Sequence, residues 1–112
     1  MTEHEESKYL AVYLEGLKLN KKIIVYSKIP SETYTTSWKQ KGKNKSEGVH
    51  RGVPDYIIVT PNTVIFCELK TEKGGVVSPD QKIWIESLEG KTVKAFVAKG
   101  HKEAIHTIES MF

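Results

Sequence analysis

The chain has 112 residues, 38% hydrophobic and 28% charged, with a formal net charge of +3 and one cysteine. That length suits a single domain with a modest core, in which about two thirds of the unfolded surface is lost on folding. A disulfide framework is excluded by the single Cys67, no apolar run is long enough to span a bilayer, and the first residues lack a signal-peptide pattern, so a soluble cytoplasmic protein without a membrane partner is expected.

Glu6, Leu10, Tyr13, Leu14 and Leu17 fall on one helical stripe, which predicts a first helix from about Glu3 to Lys18. Glu6 lies at the first-turn end of that stripe, as either a favourable charge at a helix start or a carboxylate reaching toward a site. Lys22 to Ile29 reads as a strand. The next segment, Pro30 to Gly52, is long for a loop in a small domain, and such loops tend to be functional or disordered. It carries Lys39, Lys41, Lys43, Lys45, His50 and Arg51, with Tyr34 and Trp38 upstream. These residues form either a stripe that neutralises phosphates and stacks bases or a solvated loop that touches nothing.

Tyr56 to Thr60 and Thr63 to Lys70 are β-branched and aromatic runs joined by Pro61-Asn62, a hairpin signal. A symmetric turn pairs Thr60 with Thr63 and brings Asp55 opposite Glu68, with Cβ atoms roughly 4.5–5.5 Å apart. Alternation puts Lys70 on the face of Glu68, while Cys67 and Leu69 point the other way. Opposed like charges destabilise a ladder, and a bound cation removes the conflict. All-oxygen ligands suit Mg²⁺ or Mn²⁺, beside which Lys70 would orient water or neutralise developing charge. The plainer reading is an exposed Glu68–Lys70 pair at a strand end, and a one-residue bulge would separate the carboxylates.

Ser78-Pro79-Asp80-Gln81 opens the next helix, with Ser78 as N-cap, Pro79 at the first helical position and Gln81 placed for a capping box. Gln81, Trp84, Ile85 and Leu88 share a stripe that would also aim Gln81 at the hairpin end. Gly90 stops this helix, Thr92 to Ala98 is a fourth strand, and His101, Ile105, Ile108 and Phe112 mark a closing helix. The result is an α/β domain of order α-β-β-β-α-β-α, in three layers around a central mixed sheet. The core consumes its apolar stripes and leaves no obvious spare patch. Cys67 reads as a core residue, and His101 and His106 lack the i, i+4 spacing of a zinc pair.

Pro54-Asp55 followed by Glu68-Leu69-Lys70 resembles the P-D…(D/E)-x-K signature of restriction-endonuclease-like nucleases. Gly52-Val53-Pro54-Asp55-Tyr56-Ile57-Ile58, Phe66-Cys67-Glu68-Leu69-Lys70 and Ser78-Pro79-Asp80-Gln81-Lys82-Ile83-Trp84 together are similar to the VRR-Nuc group, the virus-type replication-repair nucleases. The resemblance implies that Asp55 and Glu68 hold a metal, that the Leu69 carbonyl adds a ligand, that Lys70 is catalytic and that Gln81 belongs to the site. It also implies a helix glutamate in the site. Glu6 is preferred, because it lies on the core stripe, with Glu3 and Glu5 as competitors.

The expected function is therefore a Mg²⁺- or Mn²⁺-dependent endonuclease hydrolysing DNA. The resemblance further implies a homodimer acting on branched DNA such as four-way junctions. A non-catalytic nucleic-acid-binding module on the same fold, or a nuclease acting on flaps, single strands or RNA, are the alternatives.

Overall fold

The computed structural model describes residues 1–30, 42–43, 45–73 and 75–112. Tyr34, Trp38, Lys39 and Lys41 lie outside the described residues. The elements follow the order α1 (Glu3–Leu19), β1 (Val25–Lys28), β2 (Tyr56–Val59), β3 (Val64–Lys70), α2 (Pro79–Leu88), β4 (Val93–Lys99) and α3 (His101–Glu109). Four strands form one mixed sheet in the order β1-β2-β3-β4, with the first two pairings antiparallel and β3·β4 parallel. This is the α-β-β-β-α-β-α order that the sequence implies.

The hairpin sets the register on which the site depends. Thr60 N donates to Thr63 O (2.8 Å), and the Thr60 hydroxyl accepts from both Asn62 N and Thr63 N, so Pro61-Asn62 make a tight, symmetric connection. Tyr56 pairs with Cys67 and Val59 with Val64. Asp55 lies in the bend just before β2, where the same register extended by one step would set it opposite Glu68. No bulge intervenes along this pairing.

Helix α1 packs its Leu10, Leu14 and Leu17 stripe on the sheet, where they meet Tyr56, Ile58, Ile65, Cys67 and Leu69. The Thr2–Glu5 capping box fixes its start. Two tyrosines fasten the layers: the Tyr56 hydroxyl donates to Ser7 O (3.3 Å), and the Tyr13 hydroxyl donates to Glu109 on α3. On α3 the buried residues are Ala104 and Ile108. Phe112, expected on the closing stripe, lies beyond the helix and is 51% exposed. The helix stops at Glu109, with Ser110 as its C-cap, so Phe112 is no longer carried on the helical stripe.

The surface differs from expectation in one respect. Tyr9, Val12 and Leu19 follow one another on the outer face of α1, and the last two are 73% and 75% exposed. A spare apolar patch therefore exists. The buried stripe of α1 does not include these positions, and only its opposite face is covered by the core.

Candidate active site

Asp55 and Glu68 come from the two arms of the hairpin, at the end remote from the turn. Glu68 is 3% exposed, and Leu69 behind it is 1% exposed. Asp55 Oδ2 accepts from the Leu69 amide (2.9 Å), which ties the first carboxylate across to the strand bearing the second. The amine of Lys70 lies 3.5 Å from Glu68 Oε1, and Gln81 Nε2 donates to the same oxygen at 2.6 Å. The other oxygen, Glu68 Oε2, is buried and has no hydrogen-bond partner among the described residues.

The electrostatics follow from that crowding. Burial raises the pKa of Asp55, partly offset by the Leu69 amide and by Lys28 and Lys70, while the charge of Glu3 pushes it further up. Glu68 is raised from 4.5 to about 7, first by burial and then by the Asp55 charge, against the opposing pull of Lys70. Two carboxylates that resist joint ionisation, one with an unanswered oxygen, form a site short of positive charge. Among the described residues no three His, Cys, Asp or Glu side chains gather into a ready cage. A cation here would complete its shell from main chain, water or substrate. An oxygen-only donor set with one or two carboxylates is the pattern Mg²⁺ accepts.

Residues 2–102 match the family model described as the VRR-NUC domain. The chain belongs to the VRR-NUC family. A solved structure titled "VRR_NUC domain protein" shares the fold, with a TM-score of 0.70 and 24% identity over 98% of this chain and 87% of that one. No curated protein matches the sequence. The VRR-NUC family is nuclease-type, and the motif resemblance thus extends over nearly the whole chain.

Within this VRR-NUC fold, Gln81 serves two purposes at once. Its Oε1 accepts from Ser78 N (2.9 Å) and its backbone N donates to the Ser78 hydroxyl (3.2 Å), completing the capping box, while its amide nitrogen reaches Glu68. The cap therefore positions the side chain that meets the carboxylate.

Glu6 is engaged by α3. It is buried, as its stripe position implies, but its Oε2 accepts from the backbone N of His101 and lies 3.1 Å from His101 Nδ1. Helix α3 begins after Gly100, which has no side chain to cap it, and Glu6 supplies that acceptor from α1. Glu3, one turn nearer the helix start, has a charge that pushes up the pKa of both Asp55 and Tyr56. Glu6 thus faces the start of α3, while its neighbour Ser7 meets Tyr56 at the hairpin end.

Lys43, Lys45, His50 and Arg51 are exposed on the segment leading into the site. Glu47 N donates to Lys43 O and Gly48 N to Lys45 O, a single helical turn. Arg51 contributes through its carbonyl, which accepts from Trp84 Nε1 at 2.9 Å.

Three supports of the site carry little sequence signal. Gly52 has φ of 87°, and a Cβ there would come within 2.5 Å of the Asp80 carbonyl carbon and 2.8 Å of Gln81 N. Only glycine lets the loop close on the start of α2. Gly75 presses on the Lys70 stem, where a Cβ would stand 2.6 Å from Lys70 Cβ. The third, the Trp84–Arg51 bond, joins residues far apart in sequence.

Proposed function

We propose that the chain is a metal-dependent endonuclease that hydrolyses DNA phosphodiester bonds. The observation that carries this reading is the buried oxygen of Glu68 with no hydrogen-bond partner among the described residues, under the charge of Asp55 and beside the Lys70 amine. Asp55 and Glu68 would hold Mg²⁺ or Mn²⁺, with the Leu69 carbonyl as a further ligand and Glu3 as the nearby helix carboxylate. When bound, the ion polarises the phosphoryl oxygen and lowers the pKa of a water. Lys70 orients the attacking water and offsets charge growing on the phosphate. Gln81 fixes the rotamer of Glu68 so that its free oxygen faces the ion. The exposed Lys43, Lys45 and Arg51 neutralise strand phosphates.

The family resemblance extends the proposal to a homodimer acting on branched DNA. One site cuts one strand, and a two-fold dimer presents two sites to the two strands of a symmetric junction. Tyr9, Val12 and Leu19 offer apolar surface for a second copy.

The test is cleavage of labelled four-way junction, flap, single-stranded and plain duplex DNA with Mg²⁺, Mn²⁺ or EDTA, by the protein and by Lys70→Ala. Metal-dependent paired nicks in the junction, absent in the variant, are expected. Binding without cutting by the unaltered protein would replace the nuclease with a non-catalytic binding module.

A further inference from the structure

Along the segment that leads into Asp55 lies a cavity of about 230 Å³, walled by Ile29, Pro30, Val49, His50, Val53 and Trp84. Pockets for drug-sized ligands run from roughly 300 Å³ upward, so this one suits a single flat ring system. Apart from His50 its wall side chains are largely apolar, and Val49 is 42% exposed although nothing in the core requires it there. The indole N–H of Trp84 is already committed to the Arg51 carbonyl, which locks the ring and leaves its face as the available surface. The His50 ring stands 6.4 Å from it, tilted by 56°, so the two rings do not cover one another.

The same two segments build the cavity and the reaction centre. Val53 is two residues from Asp55, and Gly52 is clamped against Asp80 and Gln81 at the start of α2. Trp84 follows Gln81 by one helical turn, roughly 5–6 Å between Cβ atoms, and Gln81 reaches Glu68. A phosphodiester held at the carboxylates therefore has its flanking nucleoside within reach of the cavity. The loop forming one wall also bears exposed Lys43, Lys45 and Arg51, whose charge complements the strand that would bring the base in.

We propose that this cavity receives one unstacked nucleobase flanking the phosphate that is cut, stacked on the face of Trp84. The proposal rests on the nuclease reading above and narrows its substrate. The indole N–H is spent, leaving His50 the only polar side chain among the named wall residues, so the pocket selects a base free of the duplex stack with little regard to its identity. Strands at branch points, flaps and single-stranded stretches meet that requirement, and continuous duplex does not.

The test uses the full chain with Trp38→Phe, which leaves Trp84 as the sole tryptophan, and Lys70→Ala, which prevents cutting. Oligothymidylate is titrated against an abasic strand of equal length and charge. The expected result is quenching of Trp84 emission by oligothymidylate alone, with affinity about ten-fold or more above that of the abasic strand, within the range of base–aromatic stacking. In the cutting-competent chain, Trp84→Ala should lose about ten-fold in cleavage and Trp84→Phe should retain most of it. Equal affinity for both strands without quenching, in a protein whose Lys70 form still cuts DNA, overturns the pocket and leaves the nuclease intact. If the Lys70 form neither binds nor cuts any DNA, the nuclease reading itself falls.

Discussion

Replacing Glu68 by Gln should stabilise the metal-free protein at alkaline pH while abolishing its activity. Glu68 is 3% exposed, and burial with the Asp55 charge raises its pKa from 4.5 to about 7. The folded state therefore holds this proton more tightly than the unfolded chain. Its contribution to stability is complete below the unfolded pKa and is lost as pH rises through the folded one. The interval between those values corresponds to roughly 3 kcal/mol of stability lost by about pH 8. Glutamine is neutral throughout and keeps an acceptor for Gln81, but it forfeits the ion pair with Lys70. The net gain is accordingly smaller, about 1–2 kcal/mol, or roughly 4–8 °C in melting temperature. Near pH 5 the advantage should vanish or reverse, because Glu68 is then protonated in the fold. Thermal melts in EDTA across this range measure both curves. Adding Mn²⁺ should raise the melting point of the parent at neutral pH and leave Glu68→Gln nearly unmoved. A variant no more stable than the parent at alkaline pH, or a difference independent of pH, refutes the reasoning.

Glu3→Ala and Glu6→Ala should separate: the first should lower cleavage by at least about ten-fold with little change in melting, since Glu3 is exposed near Asp55. The second should cost about 1–3 kcal/mol of stability by uncapping α3, as read from urea denaturation. Gln81→Glu keeps an acceptor for the capping box but sets a third carboxylate against Glu68, so its melting point in EDTA should fall as pH rises and recover in acid. Gly52→Ala should cost more than the ~1–2 kcal/mol of left-handed backbone alone, because its Cβ strikes main chain at Asp80 and Gln81. Denaturant midpoints and residual cleavage together check that prediction.

The hairpin and its carboxylates were legible in the sequence because a strand has a strict period of two. Once Pro61-Asn62 is recognised as the turn, the pairing of Tyr56 with Cys67 follows by counting, with Asp55 and Glu68 the next residues outward. Helix α2 was equally legible, since Ser78, Pro79 and Gln81 form a local cap whose chemistry needs no tertiary partner. The contact of Glu6 with α3 was not, because periodicity identifies a buried face without saying what buries it. The answer lies in Gly100, a capless helix start about ninety residues away that the chain satisfies from α1. His101 carried no motif spacing, yet it closes that contact and stacks on Tyr9 at 4.8 Å. Gly52 and Gly75 are likewise defined by close approach of distant backbone and side chain, which composition does not encode. The first strand was expected from Lys22 to Ile29 and spans Val25–Lys28, with backbone bonds from Ile24 to Val59 and from Ile29 to Asp55 continuing the pairing at its two ends.

The central claim is that Asp55 and Glu68 hold the ion that cuts DNA, and Asp55→Ala tests it most directly. The variant and the parent are assayed side by side for Mg²⁺-dependent cleavage and for binding of the same labelled DNA. Cleavage lost with affinity for DNA largely retained is the result the account predicts. Cleavage by Asp55→Ala at the parental rate would contradict it.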